Sequence, residues 1–167
     1  MTDKYFKKVN APSEHVSKFF TEDRLSKLDW LNVPGYQGIE VPRPIYMKEK
    51  FFQSLDEKYG VSGCAILKFS PMIAYTWHND SDRNATINML LNPGHHSHSM
   101  FGEHGSEWHK ELIELVYEQD HFYLFNTQHT HEVINLDHVR YLFTARITAD
   151  PTYEELLEWA VANEWVS

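Results

Sequence analysis

From residue 61 onward apolar positions recur at every second residue in short runs. "SGCAILKFS", "IAYTWHND", "NATINMLLN", "HFYLFNT", "HEVIN" and "RYLFTARIT" are rich in β-branched and aromatic residues and are separated by turn chemistry. The pattern predicts a sheet sandwich or small barrel over residues 61–148. Ahead of it the period is mixed. "PSEHVSKFFTED" sets a Ser before helix-period apolar residues, and "LDWLNVPGYQGIEVPRP" interrupts them with Gly and Pro, so residues 1–60 read as a helical framework region. Within it, "PIYMKEKFFQSLDEKYG" predicts one helix from Pro44 to Gly60, with Ile45, Phe51, Phe52 and Leu55 on its packing side. "PTYEELLEWAVANEWV" predicts a closing amphipathic helix over residues 151–166, with Glu154 and Glu155 in its first turn. The stretch 93–120 reads as partly loop, and its "EWHKELIELVYEQ" fits either helix or strand. No repeat interrupts this order, so one domain over residues 1–167 is expected, mainly β with flanking helices.

Composition narrows the class of partner. Apolar residues make up 42% of the chain, with ten Phe, nine Tyr and five Trp, enough to build a core against the ordering entropy. The formal charge is −9, and Lys and Arg are scattered. That disfavours nucleic acid and anionic membranes as partners. No apolar run approaches the roughly 18 residues of a membrane-spanning helix and no signal-peptide pattern opens the chain, so a cytoplasmic location is expected. Cys64 is the only cysteine. An intramolecular disulfide and a cysteine zinc site are excluded, and "GCAIL" reads as a buried small hydrophobe.

The chemistry sits in two places. In "WHND", His78 and Asp80 lie two apart, which on a strand puts them on one face. In "QHTHEVINLDHVRYLFTAR", His129 and His131 are also two apart, and Arg140 follows. Two His and one carboxylate make a facial triad that leaves metal positions open, the arrangement of non-haem Fe(II) oxygenases. A dicarboxylic cosubstrate also needs a fixed cation, which the guanidinium fork supplies.

These residues resemble the 2-oxoglutarate- and Fe(II)-dependent oxygenases, specifically their small prolyl-hydroxylase-like branch. The likeness rests on "HND", "RNATINMLLN", "HEVIN" and "RYLFTAR" and spans residues 64–147. It implies a double-stranded β-helix, a jelly-roll barrel of cupin-like form. It also implies Fe(II) on His78, Asp80 and His131, with 2-oxoglutarate held through its C5 carboxylate by Arg140, dioxygen as second cosubstrate and ascorbate as an auxiliary reductant. Tyr75 matches a position where such enzymes often have a tyrosine near substrate or cosubstrate. Leu90 stands where the branch often has a carboxylate-binding tyrosine, and Asn88, two before it, is a candidate replacement. The Arg-x-Ser pattern is absent, Leu142 taking the Ser position. The implied reaction is hydroxylation of a prolyl or other amino-acid or peptide substrate with release of succinate and CO2.

Rival readings attach to particular residues. Arg146 shares the strand face of Arg140, an Arg-x5-Arg pair similar to the alkylated-base demethylases of the superfamily, which use both arginines on the cosubstrate. His129 competes with His131 as third ligand; the resemblance, which sets Arg140 at the family's spacing from His131, favours His131, with His129 on the solvent side or supporting it. A metal-binding barrel without turnover would keep the ligands and not need Arg140. A zinc hydrolase would want Glu132 as base, which on a strand points away from His131. The cluster His95, His96, His98 and His104, with Glu103, reads as a polar loop or lid rather than a second metal site. Trp77 and Trp108 read as packing residues, and Arg83 as holding a turn or a carboxylate.

Overall fold

The computed structural model describes residues 3–93, 96–104 and 109–167, with only the backbone described at 103, 104, 109 and 110. Two antiparallel sheets face each other. The larger runs β1 (Phe6–Pro12), β9 (His121–Asn126), β6 (Ala85–Leu90), β11 (Arg140–Ile147), β4 (Val61–Phe69), β3 (Tyr36–Val41) and β2 (Leu31–Val33), in that spatial order. The smaller runs β5 (Ile73–His78), β10 (His131–Asn135), β7 (Ser97–His104) and β8 (His109–Glu114). Helices α4 (Lys50–Tyr59) and α5 (Tyr153–Ala162) cover the outer face of the larger sheet.

Side-chain alternation explains both layers. On β11 the odd positions Tyr141, Phe143, Ala145 and Ile147 join the outer core, together with Phe52 and Leu55 of α4, Leu156 and Ala160 of α5, and Ile87 and Met89 of β6. Leu142 and Leu90 turn the other way, into an inner cluster with Phe69, Phe101, Tyr117 and Phe125. Every residue of β6 is consequently buried, because both its faces are covered.

Four sequence expectations change. The Pro44–Gly60 helix is two helices, α3 (Arg43–Tyr46) and α4, because Glu49 adopts extended backbone (φ −72°, ψ 125°) as the N-cap of α4. Its buried carboxylate accepts hydrogen bonds from Ser13 Oγ and from the backbone N–H groups of Glu14, His15 and Val16, closing the start of α1 (Val16–Phe19). The "PGYQG" stretch is a hairpin: β2 and β3 pair as Val33↔Tyr36, with Gly35 in the turn at φ +89°. With β1 paired to β9, three strands from the first 60 residues extend the sheet beyond 61–148. Third, "SHSMFGEH" is β7 rather than a loop or lid; "HKELIE", which fits either helix or strand, is a strand, and the two pair as a hairpin. The fourth concerns Asp80. Strand β5 ends at His78, so Asp80 reaches the site from the following turn, where its N–H donates to Thr127 O. The closing helix keeps its place, and Thr152 and Glu155 form a capping box at its start. Among the described residues no helix is long and apolar enough to cross a membrane.

Candidate metal centre

His78 and His131 are cross-strand partners at one end of the small sheet, with ring centroids 4.3 Å apart. Each imidazole is oriented by its own backbone. Nδ1 of His78 meets Thr76 O at 2.7 Å, and Nδ1 of His131 meets His129 O at 2.9 Å. With the Nδ1 proton donated to a carbonyl, the Nε2 lone pair is left for a metal. Both Nε2 atoms approach Asp80 Oδ1, at 3.6 Å and 3.7 Å, and the three ligand atoms all lie within 4.8 Å of one another. The other carboxylate oxygen, Oδ2, accepts from Arg83 Nε at 2.6 Å. Arg83 therefore fixes which oxygen faces the histidines. Burial pushes the His131 imidazole down to about 4, keeping the neutral form a ligand requires. One carboxylate oxygen and two imidazole nitrogens on one side of an open cavity are a donor set that suits Fe(II).

The cavity, about 560 Å³, runs between the two sheets. Its closed end is built around Arg140, which is 2% exposed. Nη1 donates to Ser97 Oγ at 2.6 Å and Nη2 to Ser99 Oγ at 2.8 Å, while the guanidinium lies 5.7 Å from the Tyr117 ring centre. No carboxylate stands against it among the described residues, and Nε has no hydrogen-bond partner. Burial lowers its affinity for the proton, with the Tyr117 hydroxyl opposing. A buried cation without a counter-charge is costly unless an anion is meant to join it. Two more buried polar atoms beside it, Tyr117 Oη and Asn88 Oδ1, close no hydrogen bond of normal geometry. Burial pushes the Tyr117 phenol up to about 12, with Arg140, Ser99 and Asn88 working against the shift, so the phenol stays a donor. In register, Ser99 pairs with Val133 and Ser97 with Asn135, two and four residues from His131. That is roughly 7–13 Å of strand between His131 and the residues whose hydroxyls hold Arg140. The closed end thus fits a carboxylate, and the donor set at the other side of the cavity fits the metal.

The remaining candidates are distributed unequally. Tyr75 lines the cavity with its ring edge on His78, centroids 4.5 Å apart, and Gly35 packs beneath it. Asn88 lines the cavity and is buried, as the replacement role requires. Arg146 lies on the same face of β11 as Arg140 but six residues along, about 20 Å by strand rise. It is bonded to Asp82 and half exposed, so the structure does not bring the two arginines together on one small carboxylate. His129 stacks edge-on against Tyr5 at 4.8 Å, and its carbonyl meets Nδ1 of His131. Glu132 alternates away from His131 along β10. His96 meets Asp137 and His98 meets Glu114, and no second group of metal-ligand geometry occurs among the described residues. His95 and Trp108 lie outside the described residues, as do the side chains of Glu103 and His104. Cys64 is buried and its thiol is pushed up by burial.

Sequence reasoning missed Ser97, Ser99 and Tyr117. The signal was present as period two: Leu115 and Tyr117 are buried on either side of an exposed Val116, continuing the alternation of β8.

No protein-family model matches the chain, and no curated protein matches it. Solved structures do. HygX from Streptomyces hygroscopicus, solved with nickel and 2-oxoglutarate bound, superposes with a TM-score of 0.61 at 11% identity, over 86% of this chain and 83% of that one. A Pseudomonas putida prolyl-4-hydroxylase gives 0.59 at 13% identity over 86% and 90%. A Trichoplax adhaerens prolyl hydroxylase, in complex with a hypoxia inducible factor peptide fragment, gives 0.52 at 17% identity over 73% of this chain and 66% of its own. These likenesses establish the fold: the jelly roll of the 2-oxoglutarate- and Fe(II)-dependent oxygenases, as the resemblance implied.

Proposed function

We propose that this chain is a 2-oxoglutarate- and Fe(II)-dependent oxygenase that hydroxylates an amino-acid or peptide substrate. The observation that carries the reading is the pairing, in one cavity, of a His78–Asp80–His131 donor set with a buried Arg140 that meets no carboxylate among the described residues. A metal-binding barrel without turnover has no use for that cation. The separation of Arg140 from Arg146 removes the main support for the demethylase variant.

When bound, Fe(II) with 2-oxoglutarate and dioxygen supplies the oxidising power, one oxygen atom going to substrate and one to succinate as CO2 leaves. The protein contributes position and exclusion of water. His78, His131 and Asp80 Oδ1 would hold the metal, and both rings and the carboxylate are already oriented by Thr76 O, His129 O and Arg83. Arg140 takes the distal carboxylate of 2-oxoglutarate in a charge-assisted pair, with Ser97, Ser99 and Tyr117 as hydroxyl donors around it. Leu67, Phe69, Phe125, Val133 and Leu142 wall that end of the cavity and keep it dry. Tyr75, at 37% exposure, stands where a substrate would enter beside His78.

The test is anaerobic titration of the purified protein with Fe(II) and then 2-oxoglutarate, following the visible charge-transfer band of the chelate. The band should form in the wild type and be absent in His131→Ala and Arg140→Ala. Bound metal with no band in the wild type would overturn the oxygenase reading.

A further inference from the structure

Six charged side chains besides the histidines line the cavity: Glu40, Asp80, Asp82, Arg83, Arg140 and Arg146. Four of them neutralise each other in pairs, Arg83 with Asp80 and Arg146 with Asp82. Arg140 is left at the closed end, where the reading above assigns it the cosubstrate. Glu40 is left at the mouth. It is exposed, and no hydrogen bond or ion pair engages it among the described residues. The cavity therefore carries two uncompensated charges of opposite sign, a buried cation at one end and an accessible anion at the other.

Register places Glu40 opposite the chemistry rather than off to one side. Glu40 pairs with Ala65, Ala65 with Thr144, and Thr144 with Asn88, one row across four strands. Thr144 accepts from Arg83 Nη1 at 3.4 Å, and Arg83 holds the ligand Asp80. Two strand spacings, roughly 10 Å, separate the Glu40 backbone from that of Thr144. Among the described residues nothing bulky stands in that row. Ala65 lies between them, and at Gly63, the neighbouring cavity position on the same strand, a Cβ would meet nothing within 4 Å. Tyr36 and Tyr75 line the same cavity at its Phe69 side, away from Gly63, and add aromatic surface there.

We propose that the prime substrate carries an ammonium or guanidinium group on a lysine- or arginine-length arm, which Glu40 holds while the arm crosses the Ala65–Gly63 floor toward the metal centre. This rests on the oxygenase reading and narrows its substrate class. The net charge of −9 works in the same direction, concentrating cations near the opening.

The test uses the full chain loaded with Mn(II) and 2-oxoglutarate, with calorimetric binding of three matched probes. These are the N-acetyl amides of lysine, norleucine and glutamate, which differ in side-chain charge. The lysine compound should bind tightest. Its Kd should rise roughly three- to fivefold in Glu40→Gln, and the difference should shrink as salt is raised. Glu40→Lys should reverse the order in favour of the glutamate compound. Equal binding of the lysine and norleucine compounds, unchanged binding of the lysine compound to Glu40→Gln, or no binding of any probe at millimolar concentration would overturn the proposal. Failure of the chain to take up Mn(II) and 2-oxoglutarate is seen before any probe is added, and it would sink the oxygenase reading itself. Glu40 is exposed on β3, so folding of both variants, checked by thermal unfolding, should match the wild type.

Discussion

The two faces of β11 differ in what they bury. One presents Tyr141, Phe143, Ala145 and Ile147 to the helices, an apolar layer that α4 and α5 complete. The other presents Arg140, Leu142, Thr144 and Arg146 to the space between the sheets, where only the Leu is apolar. A single strand thus separates the layer that stabilises the molecule from the layer that carries its chemistry. The contrast teaches that burial has two meanings here: on the helix side it is packing, and around Arg140 it is preparation for a ligand.

The sharpest break of that contrast is expected from Phe143→Ala on the packing face. Deleting a fully buried ring costs about 3–5 kcal/mol, a fall in Tm of roughly 6–20 °C for a chain of this size. Calorimetric unfolding measures it, and Mn(II) binding by the protein that remains folded should be little changed. Arg140→Met is the mirror experiment. It removes a buried, uncompensated cation, so Tm should hold or rise, while 2-oxoglutarate binding to the Mn(II)-loaded protein weakens by about 2–5 kcal/mol. A fall in Tm like that of Phe143→Ala would show that the guanidinium is a packing element and erase the distinction.

Arg83→Gln should have a smaller effect than either. It leaves Asp80 Oδ2 without its cation, and loss of such a supporting partner typically weakens metal affinity about 10- to 100-fold. Competitive metal titration reads that loss, and Tm should barely move. The smallest effect is expected from Tyr117→Phe. Losing one hydroxyl donor beside the cosubstrate carboxylate should cost about 0.5–1.5 kcal/mol of 2-oxoglutarate affinity. It also carries a pH signature. The native phenol holds its proton up to about 12, whereas the unfolded chain releases it near about 10. Stability from this group is therefore complete below pH 10 and is lost as pH rises toward 12. Urea unfolding between pH 9 and pH 11.5 should show a shallower decline in Tyr117→Phe than in the wild type.

The packing face was legible in the sequence because alternation is a local property. "RYLFTARIT" and "NATINMLLN" announce strands without reference to anything else, and the spacing of His78, Asp80, His131 and Arg140, together with the family resemblance, nominated all four. The cavity floor was harder to read. Ser97 and Ser99 lie in a stretch dominated by histidines, where polarity masked the period-two pattern, and Tyr117 arrives from beyond a different strand to stand beside Arg140. The break between α3 and α4 was unreadable for a related reason: Glu49 leaves helical backbone to cap a helix that begins 33 residues earlier. Long-range partners of this kind leave no mark on the local period.

That cap has a consequence for synthesis. A four-residue helix cannot nucleate alone, so α1 must await a carboxylate translated 33 residues later, a delay of about 2–7 s at ordinary elongation rates. Strand β1 waits longer, since Phe6 pairs with Phe125, which emerges roughly 6–24 s behind it. The segment carrying β1 and α1 is therefore made well before the partners that seat it. Until β9 follows, Phe6 and Val9 are apolar surface for a chaperone to cover.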